Sequence, residues 1–145
     1  LSLHISRIME IEKVEIGIVA GNFDVIHPGY VKLFKEMNDT CQKQYILLQN
    51  DPTIERPEKL KPVLTIDERK EMLEYFFNKP IFLTYNTEKE LLFLIKSINP
   101  DVRFLGDDYI AKPYTGKELG TLIYWISRSH GWSTTKFKKL IADSL

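Results

Sequence analysis

The stretch Gly21-Asn22-Phe23-Asp24-Val25-Ile26-His27-Pro28-Gly29-Tyr30 constrains this chain most, because it separates two different hydrophobic periodicities. Before it, Val14 to Ala20 is a run of apolar and β-branched residues, as in a strand covered on both faces. After it, Val31, Leu33, Phe34 and Met37 recur at helical spacing. A turn therefore joins a buried strand to a helix start. Pro28 suits the first helical turn, where its missing N–H would be unpaired anyway. The unpaired N–H groups and the dipole at such a start favour an anion, and His27 faces whatever anion docks.

The rest of the chain repeats this alternation. A first helix is expected over about Pro28–Asn38 and a second strand over Tyr45–Leu48. Asn50 to Leu64 holds Pro52, Pro57 and Pro62 and reads as a long loop. Thr65-Ile66-Asp67-Glu68 is a capping box that opens a helix reaching about Phe77. Ile81–Tyr85 is the third strand. A second capping box, Thr87 to Glu90, precedes Leu91, Leu92, Leu94, Ile95 and Ile98, and this helix stops before Pro100. Val102–Leu105 and Leu122–Ile126 are strands four and five. Ser133 is an N-cap for a last helix from Thr134 to about Ala142. Five alternations imply an α/β fold, a single doubly wound parallel five-stranded sheet with right-handed crossovers. Such sheets bind ligands at the carboxyl ends of their strands, at the topological switch point. Residues 1–9 read as a leader and 10–145 as one domain.

Charge and cysteine usage narrow the function classes. Lys+Arg and Asp+Glu both number 20, so no global basic field argues for nucleic acid. No apolar run approaches the roughly 20 residues that span a bilayer. Cys41 is the single cysteine and reads as a small buried side chain, which fits a reducing cytoplasm.

Two further stretches carry chemistry. Arg128-Ser129-His130-Gly131-Trp132-Ser133-Thr134-Thr135-Lys136 sets an arginine ahead of a helix start bearing three successive hydroxyls, a second anion site. Gly106-Asp107-Asp108-Tyr109 ends a strand, where Asp108 can accept hydrogen bonds from a base or ribose or hold Mg²⁺ through water.

Together these stretches resemble the signatures of the cytidylyltransferase-like nucleotidyltransferases. Gly21, Phe23, Asp24, His27 and Gly29 match G-x-F-D-x-x-H-x-G-H, with Tyr30 in place of the second histidine. The Arg128 stretch resembles R-T-x-G-x-S-T-T-K and Gly106–Tyr109 resembles G-D-D-W, both signatures of the glycerol-3-phosphate cytidylyltransferases. Arg69 lies in E-R-K-E-M-L, which resembles that family's H-R-K-x-x-L helix start.

The resemblance implies a Rossmann-like, HIGH-superfamily fold and nucleotidyl transfer with release of pyrophosphate. It implies catalytic roles for His27, Tyr30 and Arg128. It assigns nucleotide binding to Gly21, Asn22, Phe23, Asp24, His27, Lys61, Asp108, Arg128, Ser129, Ser133, Thr134 and Thr135, and acceptor binding to Lys59 and Arg69. Mg²⁺ is expected to arrive with the nucleotide, with no metal site of the protein's own. The expected substrates are CTP and a small phosphorylated alcohol such as glycerol 3-phosphate. ATP with a sugar 1-phosphate such as heptose phosphate is the alternative, and a catalytically weak nucleotide-binding module is another. Tyr30 motivates the last, since a phenol stays neutral at pH 7 and losing one strong transition-state donor costs on the order of 10²–10³ in rate. A homodimer is expected, with Tyr75-Phe76-Phe77 either at its interface or in the core.

Overall fold

The computed structural model describes residues 13–145, so the expected leader and the first residues of the domain lie outside the described residues. Strand β1 (Val14–Gly21) leads to α1 (Pro28–Thr40) and β2 (Cys41–Gln49). Then follow α2 (Ile66–Leu73), β3 (Pro80–Tyr85), α3 (Glu88–Ile98), β4 (Val102–Gly106), β5 (Ile123–Ile126) and α4 (Thr134–Asp143). Every strand pairing is parallel, in the order β3-β2-β1-β4-β5. The chain builds outward from β1 to β3, then crosses back to place β4 on the other side of β1. That reversal opens a crevice between the carboxyl ends of β1 and β4.

Both faces are covered, which is why the strands read as continuous apolar runs. On one face Leu33, Phe34 and Met37 of α1 pack on Val19, Ile46, Leu48 and Phe104, with Leu73 and Phe77 at the edge. On the other, Leu91 and Ile95 of α3 pack on Ile18, Leu47 and Tyr85. Each such buried side chain contributes about 1.5–3 kcal/mol. Cys41 is fully buried, donates Sγ–H to the Met37 carbonyl, and sits where a Cβ on Gly17 would come within 2.5 Å of its sulfur. Burial pushes its thiol up to about 11. Among the described residues, no helix is long and apolar enough to cross a membrane.

Most boundaries fall within a residue or two of expectation, and the larger departures have polar causes. Strand β2 begins at Cys41, four residues before Tyr45, because Gln44 is satisfied although buried: its amide donates to the Cys41 carbonyl and accepts from the Lys79 N–H. Helix α2 ends at Leu73, not near Phe77. Asn38 claims the chain beyond it, donating to the Phe76 carbonyl at 2.6 Å and accepting from the Asn78 N–H at 3.0 Å. Phe76 and Phe77 turn inward onto Phe34, whereas Tyr75 is 86% exposed. Strand β5 starts at Ile123, although the Leu122 carbonyl still accepts from the Arg103 N–H.

Candidate active site

The carboxyl end of β1 is bent sharply. Phe23 has φ 47°, a left-handed conformation that is strained for a bulky side chain. The bend buries its ring against Tyr30 and Phe34. Arg69 fixes the bend from below. It is 2% exposed, and its guanidinium donates to four backbone carbonyls: Asn22 (2.9 Å), Gln49 (2.7 Å), Asn50 (2.8 Å) and Leu64 (3.2 Å). Asp24 fixes it from the other side. Its buried carboxylate accepts from the Val63 and Leu64 N–H groups, both at 2.8 Å, and pairs with Lys138 of α4 at 2.5 Å. Burial pushes the Asp24 carboxyl up, but Lys138 and the two amides outweigh it and hold the group below its usual range.

Beyond the bend, His27 caps α1. Its Nδ1 accepts from the Tyr30 N–H at 3.3 Å, so Nε2 carries the ring proton. Nε2 is buried without a protein partner, and the residue is 1% exposed. Burial, then the charge of Arg128 and the proximity of His130, push its pKa down to about 4. At neutral pH His27 is therefore an uncharged N–H donor. Tyr30 stacks on the imidazole at 4.0 Å and 17°, and its hydroxyl lies 2.9 Å from Thr134 Oγ1. Burial raises the Tyr30 phenol above its ordinary value, so it stays protonated.

The second helix start comes to the same place. Ser133 caps α4 by accepting from the Lys136 N–H at 3.1 Å, with Thr134 and Thr135 in the first turn. Arg128 is held by its own N–H on Asp107 Oδ1 and by Nη2 on the Trp132 carbonyl, each at 3.1 Å. Gly106 is needed beside it, since a Cβ there would overlap the Asp108 carboxylate and meet Arg128 Cδ at 3.1 Å. His130 reaches further in. Its Nδ1 accepts from the Trp132 N–H at 2.9 Å, and its ring lies 6.5 Å from that of His27. A Cβ on Gly29 would stand 2.6 Å from His130 Cε1, so only glycine allows the two imidazoles to approach.

These groups line one open cavity of about 790 Å³. Of the residues expected from sequence, Gly21, Asn22, Phe23, His27, Tyr30, Lys59, Asp108, Arg128, Ser133, Thr134 and Thr135 line it. Four do not. Asp24 and Arg69 lie behind the wall, their polar atoms committed to the chain itself. In this geometry Arg69 holds the bend, and Asp24 holds the long loop and α4. Ser129 turns its hydroxyl onto Ser127 at 2.9 Å, outside the cavity wall. Lys61 is exposed and contributes only a carbonyl, which accepts from Lys138 Nζ at 3.4 Å.

Sequence reasoning passed over Arg56, Glu88, Arg103, Tyr114 and Thr115, which line the cavity, and read His130, which also lines it, as shaping its loop. Arg103 carried a usable signal: a charge inside the otherwise apolar run Val102-Arg103-Phe104-Leu105 of a strand covered on both faces. Among the described residues no three His, Cys, Asp or Glu side chains gather as a metal site.

Comparison with known proteins agrees with this geometry. An FAD synthase of Methanothermus fervidus is 33% identical over 106 residues, covering 70% of this chain and 69% of that protein. The bifunctional protein HldE of Bradyrhizobium sp. is 29% identical over 129 residues, covering 86% of this chain. The chain spans about a quarter of the length of the HldE proteins it matches. In fold it is similar to the lipopolysaccharide core biosynthesis protein of Thermoplasma volcanium, with a TM-score of 0.56 at 18% identity over 78% of this chain and 94% of that one. The cytidylyltransferase-like family model matches residues 18–141, from mid-β1 into α4 and so across both helix starts and the whole sheet, and the chain belongs to that family of nucleotidyltransferases.

Proposed function

We propose that this chain transfers a nucleoside monophosphate, CMP from CTP, to the phosphate of a small phosphorylated alcohol or sugar. Glycerol 3-phosphate is the simplest such acceptor. The observation that carries this reading is the convergence of two helix N-termini, the His27 N–H and Arg128 on one cavity. An oxygen of the acceptor phosphate attacks the α-phosphorus, a new P–O bond forms, and the bond to the β-phosphate breaks to release pyrophosphate. The attacking oxygen is already ionised at neutral pH, so no strong base is needed. The work is to hold two repelling anions in line and to stabilise the charge that develops.

The residues divide this work. His27 Nε2–H donates to the reacting phosphate without the cost of a buried cation. Arg128 and the N–H groups of the α4 start receive the leaving pyrophosphate. His130 brings a second imidazole to the side of His27, supplying from the α4 loop what Tyr30 does not supply from α1. Lys59 and Arg56 lie on the rim where the acceptor phosphate enters. Mg²⁺ bound to the triphosphate would offset part of its charge and is expected to arrive with the nucleotide, with Asp108 as a carboxylate of the cavity wall.

CTP is favoured by the Gly106-Asp107-Asp108 and Arg128 to Lys136 stretches. A second reading, with ATP, is favoured by the likeness to an FAD synthase, whose named product contains adenosine monophosphate. Incubation with Mg²⁺, CTP or ATP, and a pool of phosphorylated alcohols and sugars decides between them. Pyrophosphate release with a CDP-linked product by mass is expected. An ADP-linked product overturns the choice of nucleotide. Nucleotide binding without pyrophosphate release across the pool overturns transfer and leaves a binding module.

A further inference from the structure

Arg103 is a cation that the site described above does not use. It lies in β4 opposite Ile18 of β1, and projects to the α3 side of the sheet. It is 5% exposed and lines the cavity. Nη1 donates to the Thr115 carbonyl, and Nε is buried with no acceptor. The Tyr114 ring covers the guanidinium, its centroid 5.4 Å from Cζ. Among the described residues no carboxylate lies within ion-pair distance of it. Glu88 lines the same end of the cavity, but its Oε2 accepts from the Thr115 hydroxyl at 2.8 Å.

A buried charge is costly unless paired, and an unbonded buried donor adds to the cost. Proteins retain such a group where something else completes it. A guanidinium with one Nη taken keeps its Nε edge unpaired, the side that matches two oxygens of a carboxylate or phosphate. This end is distinct from the helix starts: Arg103 sits with Tyr85, Glu88 and Leu91 on the α3 side, whereas His27 and Thr134 gather at the starts of α1 and α4. One ligand long enough to touch both ends would carry two separated anions.

We infer that Arg103, framed by Tyr114 and Thr115, binds an oxyanion at the end of the acceptor remote from its reacting phosphate, either a carboxylate or a second phosphate. The identity of that ligand as the acceptor rests on the nucleotidyl-transfer reading above. Glycerol 3-phosphate, with hydroxyls at its far end, leaves the Nε edge unfilled. The true acceptor is thus a phosphate ester bearing a second acid group.

Calorimetric titration with matched pairs tests this. 3-Phosphoglycerate differs from glycerol 3-phosphate by a carboxylate in place of a hydroxymethyl group. Glucose 1,6-bisphosphate differs from glucose 1-phosphate by a remote phosphate. In at least one pair the member with the second anion binds about tenfold or more tightly, and the pair that responds distinguishes carboxylate from phosphate. Arg103→Met abolishes the advantage. Should that variant fail to fold, Arg103→Lys keeps a cation without the fork and reduces the advantage to about threefold or less. No advantage in either pair, no binding by any of the four, or an advantage that survives Arg103→Met overturns the inference. The pyrophosphate assay separates the two readings. Anion preference without pyrophosphate release refutes transfer but not the Arg103 site, and pyrophosphate release without anion preference refutes the site alone.

Discussion

Replacing Arg69 by lysine should unfold this protein readily, even though a cation remains. The wild-type guanidinium spans four carbonyls from three chain segments: the β1 bend, the end of β2 with the residue after it, and the lead into α2. A lysine ammonium on a flexible stem cannot span them. If two of the four bonds are lost, at about 1.5–3 kcal/mol each for a charged donor, the cost is about 3–6 kcal/mol. A domain of this size has roughly 5–15 kcal/mol in total, and about 2–4 °C of midpoint accompanies each kcal/mol. Urea and thermal unfolding of Arg69→Lys should therefore show a midpoint lower by about 10 °C or more. Turnover per folded molecule should fall as well, since Asn22 and Phe23 lose their support. An acceptor-binding arginine behaves differently: its lysine variant unfolds like the wild type and shows a raised acceptor KM with kcat little changed. That pattern would refute the structural role and return Arg69 to the ligand.

Two other substitutions report on the imidazoles. His27→Asn keeps an acceptor for the Tyr30 N–H but removes the unpartnered Nε2 donor, and should lower turnover about 10²–10³-fold. It should also flatten the acid limb of stability. The folded His27 pKa of about 4 lies below the ordinary value of about 6.5, so between those values the unfolded chain holds a proton that the folded chain does not. Wild-type stability falls by up to about 3 kcal/mol as pH drops through that window, and parallel wild-type and variant curves between pH 7 and 4 would contradict the assignment. His130→Asn keeps an acceptor for the Trp132 N–H but loses the second imidazole. Turnover should fall about 10²-fold with the unfolding midpoint little changed, and undiminished turnover would remove His130 from the site.

Much of this was legible in the sequence, and the failures share one cause. The strand–turn–helix alternation marked all five strands, and the capping residues marked the two helix starts that meet at the cavity, because periodicity and capping are local. Motif spacing also brought His27, Arg128 and Thr134 to one end of the sheet. It did not show which way a matched residue turns its polar atoms. Asp24 and Arg69 matched ligand motifs and proved to be bonded to the chain's own backbone. The second strand was expected only from Tyr45, and its extension through Gln44 depends on Cys41 and Lys79 satisfying a buried amide. Hydrogen-bond partners distant in sequence decide such cases, and no local pattern contains them.

Tyr30 shows how the same distant partners change the meaning of a departure from the motif. Read alone, a tyrosine in place of a histidine removes a positive donor. In the fold its ring stacks on His27 and its hydroxyl meets Thr134, the first residue of α4. The Asp24–Lys138 pair ties the bend that leads into α1 to α4 from behind the cavity wall. The starts of α1 and α4 are thus tied at two points, and the geometry between His27 and the α4 N–H groups is set before any substrate arrives. A histidine at position 30 is shorter than the phenol and would leave Thr134 unreached while placing a further imidazole beside Arg128, whose charge disfavours protonating it. The exchange therefore couples electrostatics to positioning. With His130 supplying the second imidazole, restoring the motif by Tyr30→His should not raise turnover in the wild-type background, yet should recover part of it in His130→Asn. A gain in the first background would mean that the tie to Thr134 matters less than the missing imidazole, and no gain in the second would mean that an imidazole at position 30 cannot stand in for His130.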